Sequence, residues 1–330
     1  MVYEPQDVER KVLTILKILR SSKVPVGARV VARLLKDHGV GLTERAVRYH
    51  LKLMDERGLT RLVGRDGRLI TDRGTAELES ALVKDKVGFA FSKIELLAFR
   101  TNFDFVMRSG YVPVNISFFN RNQFKNAVEV MKPVYKSGFC VSELVAIARG
   151  GRSLGDVVVP DGKVGLATVC SIVVNGTLLK AGVPIGSRFG GLLQIRGGKP
   201  FRFVELIHYA GSSLDPSEVF IKARMTSVTE AARHGEGRIL ANFREIPAVC
   251  RTLTEDVTGK LKAAGIGGVL VIGETSEPVC QTDVELNRIG VILLGGLNPV
   301  AAAAESGIEI ENRAMSTVME YNQLAPVWEF

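Results

Sequence analysis

Two arginines, Arg188 and Arg244, stand among hydroxyls and glycines in a chain of 330 residues. Arg188 falls in GVPIGSRFGGLLQI (182–195). There Ser187 and Arg188 precede Gly190-Gly191, and the stretch reads as a turn whose backbone amides can point at an anion. Arg244 ends a β-type run in FREIP (243–247), and Ser212-Ser213 occupy the loop before a helix opened by Asp215-Pro216-Ser217-Glu218. Guanidinium groups bind carboxylates through a bidentate fork. Ser187, Arg188, Ser212, Ser213 and Arg244 therefore form a candidate site for a small dicarboxylate. Structural pairing of both arginines with Glu205 or Glu245 is the competing use, and the residues alone leave both open.

A second constellation lies in TERAVRYHLKLMDERG (43–58). At helical spacing Val47, Leu51 and Met54 line one face, and Arg45, Arg48, Tyr49 and Lys52 line another. A helix that is apolar on one side and basic plus aromatic on the other is either solvated behind or laid against a polyanion. Its neighbours must decide.

Other chemistries lack their residues. The four cysteines (Cys140, Cys170, Cys250, Cys280) and four histidines are scattered, with no Cys-x-x-Cys or His-Glu-x-x-His spacing, so no zinc site is expected. Cys170 is the only tempting nucleophile, but its flanks, LATVCSIVV, suit a core strand. GIGGVLVIG (265–273) contains Gly-x-Gly but follows a helix and precedes a strand, the reverse of a dinucleotide fingerprint. No Walker A motif occurs, and an enzyme is not expected.

Composition is that of a globular protein, 46% hydrophobic and 24% charged, at a length that predicts two or three domains. The N-terminus is charged from residue 4 onward, so no secretory leader is expected. The apolar run at 290–304 is broken by Asn298 and Pro299, short of the roughly 18 residues of a membrane span. A cytoplasmic protein without membrane contact is the expectation. Residues 1–86 hold 18 Lys and Arg against 12 Asp and Glu, a net +6 of the whole chain's +8. Such localisation points to a nucleic-acid contact made by one module.

The elements around TERAVRYHLKLMDERG fit that contact. Residues 7–22 and Ala28–Asp37 read as amphipathic helices, the second stopped by Gly39. Thr43 is the expected N-cap of the third helix, and Gly58 stands at its C′ position. The runs TRLV and RLIT flank Gly64-Arg65-Asp66-Gly67, hairpin chemistry, and a further helix begins at Asp72. Three helices followed by a two-stranded hairpin are a winged helix-turn-helix, whose third helix enters the major groove. Thr43, Arg45, Arg48, Tyr49 and Lys52 would then face DNA, with Arg65 and Arg68 on the wing. Protein docking is the other use of such a domain.

Beyond residue 86, FSKIELLAFRTNFD (91–104) begins with the capping box Ser92-x-x-Glu95 and reads as a connecting helix within a linker at 87–110. Residues 111–330 alternate β-rich runs (VPVNISFF, VGLATVCSIVVNG, FRFVELIHY, RILANF, GGVLVIG, GVILLGG) with helices near 122–137, 215–224, 226–234, 254–264 and 299–305. This predicts an α/β (α+β) domain behind the winged helix. VNISFF, a helix to Gly138, Val169-Cys170 and GGLL echo ILANFREI, a helix to Gly265, Val279-Cys280 and GGLN, with spacings that drift by many residues. A duplication of that kind would place a pseudo-twofold axis in the domain, with a cleft between the halves.

TVCSIVVNGTLLKAGVPIGSRFGGLLQI (168–195), PFRFVELIHYAGSSLDPSEVF (200–220), FREIPA (243–248) and GGLNPVAAAAESGI (295–308) carry a resemblance. From Phe91 to the end, the chain resembles the regulatory domain of NrpR-type nitrogen repressors of methanogenic archaea, and the winged helix fits the same architecture. The resemblance implies a dimeric repressor of nitrogen-assimilation genes that binds a palindromic operator and is released by 2-oxoglutarate. Some members carry two tandem regulatory domains and this chain has room for one. That leaves open whether a homodimer senses alone or works with a second regulatory-domain chain. A winged-helix regulator of a different small anion, or a carboxylate enzyme fused to a DNA-binding module, is the alternative.

Overall fold

The computed structural model describes residues 5–22, 24–38, 40–80 and 88–330, in two units, Met1–Val87 and Gly88–Phe330. Residues 1–4, Gly39 and the 81–87 stretch, where the expected domain boundary falls, lie outside the described residues, as does the Val8 side chain.

The first unit is a winged helix. Its helices are α1 (Pro5–Ser21), α2 (Ala28–Asp37) and α3 (Glu44–Glu56), followed by strands β1 (Thr60–Val63) and β2 (Gly67–Ile70) and helix α4 (Asp72–Ser80). Ile15, Leu16, Leu19, Val31, Leu35, Val47, Leu51 and Met54 are fully buried and make one core. The Thr43 hydroxyl accepts from the Ala46 amide at 3.2 Å, so the sequence-marked cap is in place. Strand β2 also pairs with the α1–α2 connection, Val26 and Arg68 exchanging backbone bonds at 3.0 Å. Gly67 makes this possible. Its φ is +130°, and a Cβ there would sit 2.3 Å from the Val26 carbonyl carbon.

The second unit opens with α5 (Phe89–Arg100), capped by Gly88, so Ser92 lies inside the helix instead of at its cap. Ala90, Ile94, Leu97 and Ala98 are buried in the core of this unit, which makes α5 one of its packed elements instead of a free connector. There follow β3 (Tyr111–Asn120), α6 (Phe124–Ser137), β4 (Leu144–Arg149), the short β5 (Ser153–Leu154) and β6 (Val157–Val158), and β7 (Lys163–Val169). Next come α7 (Ile172–Lys180), β8 (Gly186–Arg196), β9 (Lys199–His208), α8 (Pro216–Lys222), α9 (Val228–His234) and β10 (Gly237–Pro247). The chain ends with α10 (Arg251–Ala263), β11 (Val269–Thr275), β12 (Arg288–Leu294), α11 (Asn298–Glu305), β13 (Ile310–Glu320) and β14 (Ala325–Pro326).

Two five-stranded antiparallel sheets result, ordered β13-β3-β7-β4-β14 and β11-β12-β10-β8-β9, beside the two-stranded β5-β6. The succession strand-helix-strand-strand-helix-strand occurs twice, as β3-α6-β4-β7-α7-β8 and as β10-α10-β11-β12-α11-β13. Within each, the first strand pairs with the third and the third with the second. The fourth crosses to the other half's sheet, β8 beside β10 and β13 beside β3. Asn115 opposite Thr168 on β3 thus corresponds to Asn242 opposite Leu293 on β10. The same register pairs Val169-Cys170 with Leu294-Gly295, whereas the expected counterpart, Val279-Cys280, lies in the β11–β12 connection.

Two local expectations are corrected. The run Ile172-Val173-Val174 is the start of a helix and not the end of a strand. Helix α7 is buried almost all round, so its β-branched residues carry no amphipathic stripe. Gly176 lets it approach α5, since a Cβ there would come 2.3 Å from Thr101 Cβ and 2.8 Å from the Ala98 oxygen. Gly190-Gly191, read as a turn, sit inside β8, and their neighbours are β10 on one side and β9 on the other.

Candidate effector site and nucleic-acid face

Arg244 is the largest fully buried side chain, 1% exposed, on the central strand β10. Its Nε donates to Asn175 Oδ1 at 3.3 Å and an Nη donates to the Phe243 carbonyl at 3.1 Å. The guanidinium carbon lies 5.0 Å from the centre of the Tyr209 ring. Among the described residues no carboxylate pairs with it within 4.0 Å. A guanidinium does not shed its proton, and a buried charge lacking a counter-ion costs several kcal/mol. An anion beside it would offset that cost.

Arg244 borders a cavity of about 20 Å³, room for little more than one water. Asn115, Ser171, Tyr209, Asp215 and Asn242 supply its polar wall, and Cys170, Gly296, Ala314 and Met315 close it. Asn115 and Asn242 are the matched positions of the two halves, so the cavity lies where the pseudo-twofold brings β3 and β10 together. Tyr209 Oη donates to Asn242 Oδ1 at 2.5 Å, and Asn242 Nδ2 donates to Ser171 Oγ at 3.1 Å. Burial pushes the Cys170 thiol up to about 12 and the Tyr209 hydroxyl likewise to about 12, so both stay protonated near neutrality. Cys170 is a wall residue here, with no thiolate to offer.

The other candidates have different surroundings. Arg188 Nε meets Glu245 Oε2 at 2.5 Å, with Glu245 itself 3% exposed, and a second arginine nitrogen pairs with Glu285. Arg188 is the extra residue where the β8–β10 register shifts. Its pairing is the structural one. Ser187 Oγ accepts from Asn175 Nδ2 at 3.1 Å, which links it to Arg244 through one amide. Ser212 Oγ donates to the Leu214 carbonyl at 2.6 Å within its own loop, and Ser213 follows half-buried. The structure therefore brings Ser187 and Arg244 together and engages Arg188 elsewhere. Tyr209, Asn115, Asn242, Ser171 and Asp215 were not singled out, because their convergence depends on long-range pairing.

Beside the cavity, β13 departs from β3: its register breaks between Arg313 and Thr317. Three side chains hold this bulge. Glu218 Oε1 accepts from the Ala314 amide at 2.5 Å, Lys93 Nζ donates to the Ala314 carbonyl at 3.1 Å, and Asn115 Oδ1 accepts from the Met315 amide at 2.9 Å. Asp215 caps α8, accepting from the Ser217 amide at 2.9 Å, and burial raises its carboxyl above the usual range. Burial also lowers the Lys93 ammonium, against the attraction of Glu218 and Asp215.

Glu218 is pushed up to about 7, first by burial and then by Asp215. The folded state thus holds its proton at pH values where the unfolded chain has lost it. Stability falls as pH rises from the usual carboxylate range through about 7, and this contribution is level above that. Glu218→Gln keeps an oxygen for the Ala314 amide and removes the titration. Its stability relative to wild type is expected to be higher at pH 8 than at pH 5, by about 2 kcal/mol in urea unfolding. An equal difference at both pH values would contradict the assignment.

In the winged unit, Arg45, Arg48, Tyr49 and Lys52 are exposed on α3, opposite the buried Val47, Leu51 and Met54. Arg48 is paired one turn back with Glu44 at 2.5 Å, an exposed contact that DNA can replace. Arg65 is exposed in the wing turn. Arg68 is held by Asp55 at 2.7 Å, and Asp55 also accepts from Thr60 at 2.6 Å, so Arg68 fastens the wing to α3. Thr43 spends its hydroxyl on the cap.

A groove of about 450 Å³ adds residues the sequence reading passed over. It is lined by Arg29, Arg33 and Lys36 of α2 and by 41–44 at the start of α3. The three cations are exposed and recur at i, i+4 and i+7, a spacing visible in the sequence. Together with the α3 N-terminus they make a positive surface, with the Glu44 carboxylate also on its lining.

The profile described as NrpR regulatory domains NRD1 and 2 matches residues 87–326, and that of the ribonuclease R winged-helix domain matches 13–78. The chain is 40% identical to the global nitrogen regulator NrpRI of Methanosarcina mazei, over 98% of this chain and 99% of that one. It is 34% identical to the global nitrogen regulator NrpR of Methanocaldococcus jannaschii, over 96% of this chain and 55% of the relative. A crystal structure of a nitrogen repressor-like protein from Methanococcus jannaschii superposes with a TM-score of 0.61 at 30% identity, covering 72% of this chain and 98% of that one.

Proposed function

This chain belongs to the NrpR family of global nitrogen regulators, and we propose that it is a dimeric repressor that binds a palindromic operator and releases it when 2-oxoglutarate enters the regulatory unit. The winged helix supplies the DNA contact: α3 lies in the major groove, and α2 and the wing meet phosphates. Two such units on one dimer read two half-sites about 34 Å apart.

One observation carries the effector assignment: the buried Arg244 guanidinium has no carboxylate within ion-pair distance among the described residues and borders a cavity lined by amides, hydroxyls and the Asp215 carboxyl, which burial raises above the usual range. One carboxylate of 2-oxoglutarate takes the fork of Arg244. Tyr209, Asn242, Ser171 and Asn115 supply donors and acceptors for the rest of the molecule. A five-carbon dicarboxylate exceeds a space of about 20 Å³, so binding has to move a wall. That requirement gives the ligand unequal affinity for two states, the condition for a switch.

Fluorescence anisotropy of a labelled operator fragment tests this. Affinity is expected to fall when millimolar 2-oxoglutarate is added, while glutamate and succinate in the same titration define the selectivity. Operator affinity that is unchanged across millimolar 2-oxoglutarate overturns the effector assignment.

A further inference from the structure

The wall that yields is identifiable. Arg244 and Asn242 stand on β10, which is paired on both sides by β8 and β12. Cys170 and Ser171 join β7 to the buried helix α7. Ala314 and Met315, by contrast, sit on β13, the edge strand of its sheet, where the ladder to β3 is broken. Met315 has a φ of +49°, a left-handed conformation that costs a methionine about 1–2 kcal/mol. No strand ladder holds this segment. Glu218, Lys93 and Asn115 hold it by single side-chain bonds to its backbone.

One of those bonds leads out of the site. Lys93 belongs to α5, which packs on α7 and β13 and begins at Phe89, two residues after the winged unit ends in sequence. We propose that an effector at Arg244 displaces the Ala314–Met315 bulge and that Lys93, through its bond to the Ala314 carbonyl, passes the displacement to α5. This rests on the effector reading above. Lys93 is a positioning residue in this scheme: it touches the wall and not the ligand. Without ligand the Lys93–Ala314 bond ties α5 to the bulge, and the ligand-bound form breaks or shifts that tie. The same helix is thereby in a different state with and without ligand, which is what two coupled sites require. Asn115 and Glu218 hold the bulge to β3 and α8, elements that do not adjoin the winged unit in the chain, so the Lys93 contact is the one that matters for release.

Lys93→Met removes the bond and keeps the apolar stem. Two measurements on the full chain separate the possibilities: calorimetric titration with 2-oxoglutarate, and operator anisotropy with and without saturating 2-oxoglutarate. Lys93→Met is expected to bind operator within about threefold of wild type and still to bind 2-oxoglutarate, while the ratio of operator affinities falls to about one. Lys93→Arg, which can donate to the same carbonyl, is expected to restore release. Release of Lys93→Met at the wild-type ratio overturns the proposal and leaves the effector reading standing. Loss of 2-oxoglutarate binding in Lys93→Met also overturns it, since Lys93 would then be a ligand contact. Absence of 2-oxoglutarate binding in wild type removes the effector reading itself. Hydrogen exchange of the wild-type protein needs no variant: amides of 89–100 are expected to exchange at a different rate once 2-oxoglutarate saturates. Unchanged exchange there overturns the role of α5.

Discussion

Arg244→Met is expected to leave operator binding intact and to abolish its response to 2-oxoglutarate. The guanidinium is buried, makes one bond to Asn175 and one to its neighbour's carbonyl, and has no carboxylate partner among the described residues. A bidentate carboxylate would add two charge-assisted bonds, each worth about 1.5–3 kcal/mol. Losing both weakens the effector by about a hundredfold or more. The same substitution takes an uncompensated buried charge out of β10 and puts a side chain of similar length in its place. Thermal stability without ligand is expected to hold or rise. Arg244→Lys keeps the charge and loses the fork, so its binding loss falls between the two. Calorimetry with 2-oxoglutarate and a melting curve read both effects. Wild-type release by Arg244→Met, or a large drop in its melting temperature, would show that the arginine is there for the fold.

How far the sequence carried depended on the range of the forces involved. The winged helix was legible because its signals are local: Val47, Leu51 and Met54 at helical spacing, Thr43 at the cap, and Gly64-Arg65-Asp66-Gly67 at the hairpin. Helix α7 was hidden because total burial erases the periodic stripe on which a helix reading depends, and Ile172-Val173-Val174 then looks like strand. Strand β13 escaped notice because its bulge breaks the two-residue alternation between Arg313 and Thr317. The exchange of β8 and β13 between sheets has no local signature at all. For the site, Arg244 stood out as an arginine ending a β-type run, and the sequence left its partner undecided between ligand and Glu205 or Glu245. The same doubt attached to Arg188, and there Glu245 and Glu285 are the partners. The remaining polar wall comes from β3, β10, the β7–α7 junction and the loop before α8, which meet only after folding.

On DNA, the cations of α2 and the face of α3 are expected to fail in different ways. Arg29, Arg33 and Lys36 line a groove beside the α3 N-terminus, a place suited to phosphate and carrying no information about base identity. Replacing all three with alanine should weaken operator and unrelated duplex alike. It should also flatten the salt dependence, lowering the slope of log K against log salt by about 2–3, or roughly 0.9 for each phosphate left without its cation. Arg45 and Tyr49 are exposed on α3, the helix proposed to enter the major groove, where side chains would meet base edges. Arg45→Ala with Tyr49→Ala should lower operator affinity while leaving non-specific binding close to wild type, so the specificity ratio collapses, each base edge left unread costing about 1–3 kcal/mol. Arg68→Ala is a third type: it frees Asp55 and loosens the wing, and its weaker DNA binding should track a lower melting temperature. Anisotropy titrations of each variant against both duplexes, across a salt series, separate these outcomes. If the α2 variant loses operator binding alone, base recognition belongs to α2, and the orientation given to the winged helix on DNA is wrong.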